Sequence, residues 1–207
     1  MKNYRIPLTF MGAFIACFAV ISQFFLMLNT TELPFFAMIV RFLSFFTILT
    51  NSLVAIYFIS LLLPKSTFLF QFFSSPGKLT AVTGYILVVG IVYQIALRHV
   101  WNPQGFAMVV DELLHSVIPL FTLIFWMLFE EKENLRFKQI TGWLLYPFAY
   151  IVYTFIRGFF TNQYPYPFVD VLTLGYPIVF RNALIIVFLF VLFFISMIAL
   201  SKRGRKI

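Results

Sequence analysis

The stretch DELLHSVIPLFTLIFW, Asp111 to Trp126, holds an imidazole within one helical turn of two carboxylates. His115 lies four residues after Asp111 and three after Glu112. A carboxylate so placed holds the ring in one tautomer and stabilises imidazolium, as a general base requires. A second stretch, RFLSFFTILTNSL from Arg41 to Leu53, carries Ser44, Thr47, Thr50 and Asn51, which are expected to share one face of a helix. Serine and threonine hydroxyls bond back to the carbonyl four residues earlier, whereas the Asn51 amide is expected to need a partner or a cavity. An intramembrane histidine with an acidic neighbour and a threonine at matching depth on another helix marks a candidate site. A third set, Tyr146, Tyr150, Tyr153 and Arg157, forms one helical stripe. Its aromatic wall and terminal guanidinium suit an amphiphile whose carboxylate pairs with the cation. The same stripe also reads as a packing seam closed by an ion pair with Asp170 or Glu112. With Cys17 the only cysteine and His99 and His115 the only histidines, neither an intrachain disulfide nor a three-ligand zinc site is expected. No metal and no cofactor enters this reading.

The elements that carry these residues follow from composition. At 207 residues, 62% hydrophobic and 11% charged, with a mean hydropathy of +0.97, the chain is an all-α polytopic membrane protein. Six stretches reach the roughly 20 apolar residues of a span: about 7–28, 38–62, 79–97, 109–129, 140–159 and 178–200. They leave no room for a soluble domain, so residues 1–207 read as one six-helix transmembrane domain. The net charge of +8 does not point to nucleic acid, because the basic residues are scattered over loop ends. With the N-terminus inside, Lys2, Arg5, Lys65, Lys78, Lys132, Arg136, Lys138, Lys202, Arg203, Arg205 and Lys206 face the cytoplasm, 11 of the 15 basic residues. Arg41, Arg98, Arg157 and Arg181 remain outside, and both termini are cytoplasmic. The first apolar run continues past Cys17 and is expected to be a span, not a cleaved leader. His115 lies about six residues below the outer start of its span and Thr47 about nine below its own, depths that differ by ~5 Å. The segment Asn162–Pro177 is expected to form an extended or re-entrant outer lid.

The motifs FFTILTN (Phe45–Asn51) and LLHSVIP (Leu113–Pro119), with YPFAYIVYTFIRG (Tyr146–Gly158) followed by YPYPFVDV (Tyr164–Val171), resemble the androgen-induced-gene-1-like family of six-helix membrane proteins. That family includes the androgen-dependent regulators of tissue factor pathway inhibitor. The similarity extends to its bacterial branch of integral membrane proteins and covers nearly all of the chain. It implies a threonine-dependent hydrolase of lipid esters, in animal members fatty acid esters of hydroxy fatty acids, with Thr47 as nucleophile and His115 as base. It implies residence in a bacterial inner membrane, with the bilayer and a lipid or fatty-acid ester as partners. Mid-helix N–H groups are already bonded within the helix, so an oxyanion would need side-chain donors, for which Asn51, Tyr150 and Tyr153 are candidates. Asp111 or Glu112 would orient the base and Arg157 would read a substrate carboxylate. The alternative is a non-enzymatic binder or transporter of an acidic amphiphile, which uses the same Arg and Tyr residues without needing Thr47. A rhomboid-like protease is disfavoured, because SSPG at 74–77 falls on an inner loop away from both histidines.

Overall fold

The computed structural model describes residues Tyr4 to Arg203, and every regular element among them is helical. Lys2, Arg205 and Lys206, counted above on the inner side, lie outside the described residues. Helices follow from the apolar sequence, because lipid offers backbone N–H and C=O groups no partner outside their own segment. Among the described residues five helices are long and apolar enough to cross a membrane: Arg5–Thr30, Lys78–Leu97, Phe106–Phe129, Gln139–Thr161 and Val171–Lys202.

The span expected over 38–62 is not one helix. It is divided into α2 (Phe35–Phe42) and α3 (Phe46–Ser60), bent by 77° at the break. The pair counts as a sixth span only if it crosses as a broken one. After Leu43 N–H reaches Ile39 O at 2.9 Å, Ser44 and Phe45 fall back to tighter bonds with Arg41 O and Phe42 O, at 3.1 and 3.3 Å. Phe45 is then extended and starts α3 afresh. Ser44, whose Oγ donates to Val40 O at 2.6 Å, lies in this break, so it and Thr47 do not belong to one continuous helix. Packing offsets the break: Met38 is fully buried, and the Phe42 ring meets Phe24 edge-on at 5.3 Å.

The chain forms two compact units, Met1–Asn134 and Leu135–Ile207. In the first, α1 (Arg5–Thr30) packs on α3, and α3 packs on α5 (Lys78–Val92). Gly12 makes the close approach of α1 possible, since a Cβ there would lie 2.7–2.9 Å from the Phe121 and Phe58 rings. A short helix α4 (Phe68–Phe73), N-capped by Thr67, leads to α5. Next come α6 (Phe106–Glu112) and α7 (Ile118–Phe129). The Glu130 carboxylate, just past α7, accepts from Thr80 N and Oγ1 at 2.8 Å each. That anion sits in the first turn of α5, where N–H groups lack helical partners.

The second unit holds α8 (Gln139–Trp143), α9 (Leu145–Thr161) and α10 (Val171–Arg203). The α8/α9 break at Leu144 lies where Pro147 would have had to donate to Trp143 O, a bond its ring nitrogen cannot make. Asn162 ends α9 in the left-handed conformation, φ 54°, donating to Gly158 O at 2.8 Å. The Tyr164 ring lies against Gly158, closer than any Cβ would allow. Val169, Val171 and Val179 form a core with Ile151, Phe155 and Tyr164 packed against it. The stretch after α9 without α-helix is shorter than the 162–177 expected from sequence: helix resumes at Val171 and is interrupted at Gly175, φ 73°, two residues before Pro177. Exposed Phe14, Phe159, Phe160 and Leu184 give α1, α9 and α10 surfaces suited to lipid.

Candidate functional site

Two helices of the first unit change pitch where the polar residues gather. α5 runs into a π-turn at Tyr93–Leu97, closed by Arg98 N–H to Tyr93 O at 2.9 Å. α6 runs into a second at Leu113–Val117, closed by Ile118 N–H to Leu113 O. Such turns insert one residue and re-aim the side chains around it. The second packs against α1, α3 and α5. Its approach to α5 depends on Gly90, where a Cβ would lie 3.0 Å from His115 O and 3.3 Å from Pro119. A backbone carbonyl cannot swing away as a side-chain tip can. Gly90→Val is therefore expected to cost about 1–3 kcal/mol as an overpacked contact. Gly142→Ala, which meets nothing within 4 Å, should be near neutral, and unfolding in detergent will compare the two.

His115 Nδ1 lies 2.9 Å from Asp111 O and 3.1 Å from Asp111 Oδ1. Both neighbours are acceptors, so Nδ1 carries the proton in the neutral ring and Nε2 is the basic nitrogen. Asp111 is buried, at 7% exposure, and its Oδ2 accepts from the Tyr93 hydroxyl. The Tyr93 ring stacks on the imidazole, with centroids 3.9 Å apart and planes 12° from parallel. Glu112 turns elsewhere: it accepts from Ser116 Oγ at 2.7 Å and pairs with Arg98. Gln94 completes that second network, donating to Ser116 Oγ at 3.0 Å and accepting from Arg98 Nη1 at 2.9 Å. The hydrogen bond and charge of Glu112 push Arg98 above its ordinary pKa. The two carboxylates that sequence left equivalent thus divide, Asp111 to the imidazole and Glu112 to the arginine.

Thr47 and Asn51 sit one turn apart in α3, 9% and 0% exposed. Asn51 Nδ2 donates to Thr47 O at 2.9 Å and Leu114 O at 3.3 Å. Both carbonyls lie within reach of one nitrogen, so the threonine turn and the residue before His115 are no more than about 6 Å apart. This corrects the expectation that Asn51 could not use its own helix's carbonyl. It also spends the amide on carbonyls, leaving the buried Oδ1, an acceptor without a partner, and no hydrogen for an oxyanion.

Tyr150, Tyr153 and Arg157 lie on α9 in the second unit. Arg157 donates from Nη1 to Gln163 O at 3.0 Å and from Nη2 to Gln163 Oε1 at 3.4 Å. It braces the turn after α9, while Asp170, the partner sequence offered it, accepts from Leu172 N and Thr173 Oγ1 at 2.9 Å each. Tyr93 and Ser116 were not singled out from sequence. The signal available was the Gln94/Arg98 spacing of four, which places that pair on one face beside Tyr93. Among the described residues no three His, Cys, Asp or Glu side chains converge as metal ligands would. No family model, curated protein or solved structure matches the chain.

Proposed function

We propose that the chain is an integral membrane hydrolase of lipid esters in which Thr47 is the nucleophile and His115 the base. The observation that carries this reading is the His115 ring, held at Nδ1 by Asp111 on a π-turn that Asn51 links to the Thr47 turn. The resemblance of FFTILTN and LLHSVIP to the androgen-induced-gene-1-like proteins supports it, as does a surface suited to lipid. His115 Nε2 takes the proton of Thr47 as its oxygen attacks the ester carbonyl. Collapse of the tetrahedral intermediate breaks the ester C–O bond, and the leaving alcohol takes that proton from imidazolium. A water deprotonated by Nε2 then attacks the acyl-threonine, releasing the fatty acid and restoring the threonine hydroxyl. Asp111 stabilises the imidazolium formed in each half. The substrate class is an acyl ester of a hydroxy fatty acid or a similar membrane lipid.

An active-site-directed fluorophosphonate should label the purified protein, with the adduct mapped by mass spectrometry to a peptide within Phe46–Ser60. Labelling elsewhere, or none, counts against the assignment. The proposed setting is a bacterial inner membrane with both termini cytoplasmic, on the 11 to 4 partition of the basic residues. Cysteines introduced at Asn134 and at Asn162, in a chain with Cys17 replaced, should react with an impermeant thiol reagent from opposite faces. Reaction of both from one side would sink that orientation.

A further inference from the structure

Tyr93 has no part in the chemistry above, yet it touches both members of the His115–Asp111 pair. It is almost fully buried, its ring lies flat on the imidazole, and its hydroxyl is hydrogen-bonded to Asp111 Oδ2. The other oxygen of that carboxylate lies 3.1 Å from His115 Nδ1. An imidazole has two ways to lose its working geometry. It can rotate about χ2, which moves Nε2 away, or it can exchange the Nδ1 proton for one on Nε2. A ring stacked on one face opposes rotation. A carboxylate pinned through its second oxygen keeps its first on Nδ1 and opposes the tautomer exchange. Both π-turns contribute: one presents Tyr93 and the other His115.

We propose that Tyr93 is the positioning residue of this site, fixing the plane of His115 through its ring and the Asp111 carboxylate through its hydroxyl, so that the neutral ring carries its proton on Nδ1 and its lone pair on Nε2. The role rests on reading His115 as the base, but the decisive measurement does not depend on hydrolysis. A residue that only filled the core would leave the tautomer unaffected by loss of the hydroxyl alone.

The chain has two histidines, so ring nitrogen-15 labelling of histidine in the full-length protein, with and without His99→Gln, isolates the His115 signal. In nanodiscs the wild-type ring should be the Nδ1–H tautomer, with its carbon-bound protons shifted upfield of those of His99 by the stacked phenol. Tyr93→Phe keeps the ring and hence the upfield shift. Without the hydroxyl, a second tautomer should appear and the Nδ1 proton should exchange with water about tenfold faster. Tyr93→Leu should lose the upfield shift as well. On a neutral p-nitrophenyl acyl ester, Tyr93→Phe should lower kcat about tenfold with KM within about twofold, the pattern of a group acting on the base and not on substrate binding. Unchanged tautomer and exchange in folded Tyr93→Phe would overturn the proposal. Should neither variant fold, the wild-type spectrum decides: an Nε2–H tautomer, or no upfield shift relative to His99, rejects it. If the spectra behave as expected but Thr47→Ala hydrolyses as well as wild type, the hydrolase reading falls and the hold of Tyr93 on His115 stands.

Discussion

Hydrolysis of a lipid ester by the purified protein should fall by at least about 10³-fold in Thr47→Ala and in His115→Ala alike, with the double variant scarcely worse than either. Nucleophile and base act as one unit. A base without its nucleophile activates nothing, and an unactivated threonine hydroxyl is a poor attacker. Thr47→Ser should keep partial activity because the hydroxyl remains. Serine is less restricted about χ1, so unproductive rotamers should leave it below wild type. Each loss is checked against helical circular dichroism, since Thr47 is buried and its methyl contributes to packing. The fluorophosphonate should mark wild type and the serine variant but neither alanine variant. Intact hydrolysis in folded Thr47→Ala would eliminate the mechanism and hand the site to a binder or transporter of an acidic amphiphile.

The long apolar runs were legible as helices because length and composition alone decide them, and five of the six expected stretches are long apolar helices. The second was misread for a reason that sits in residues 41–46. RFLSFF contains no Gly or Pro, so nothing local announces the break, which is held by the burial of Met38 and the Phe42–Phe24 contact. An all-apolar segment also has no periodicity to show which face points inward, so the placing of Ser44 with Thr47 depended on an unbroken helix. Proline gave partial warning elsewhere: Pro147 marks the Leu144 break, whereas Gly175, two residues before Pro177, carries the interruption in α10. Within the site, the spacing of Asp111 and His115 was readable because i and i+4 meet in any helical turn. Which carboxylate faces the ring was not, since Asp111 and Glu112 both lie within one turn of His115; the structure pairs each with the residue four positions on, Asp111 with His115 and Glu112 with Ser116. Tyr93 stayed hidden because a tyrosine in a span reads as an interfacial anchor until its cross-helix partner is known.

Asp111→Asn is the more discriminating of the large losses, because it alters the imidazole without removing it. Asparagine matches the shape of aspartate and can still accept from Tyr93, but its amide can present an N–H to His115 Nδ1. That hydrogen bond favours the tautomer with the proton on Nε2, where the ring cannot take a proton from Thr47. The imidazolium formed during turnover also loses its facing anion. In a Ser-His-Asp triad the comparable exchange costs about 10⁴-fold in kcat. The loss here should be smaller, about 10²–10³-fold, because Nδ1 retains a second acceptor in Asp111 O at 2.9 Å, which the substitution leaves in place. Glu112→Gln makes the contrast. It disturbs Ser116 and Arg98 and does not touch the ring, so it should reduce turnover less than about tenfold. Measuring kcat for both variants on one neutral ester tests the division of labour between adjacent carboxylates. Equal losses would show that the two act as one charged patch, and a larger loss in Glu112→Gln would move the orienting role to the Arg98 network.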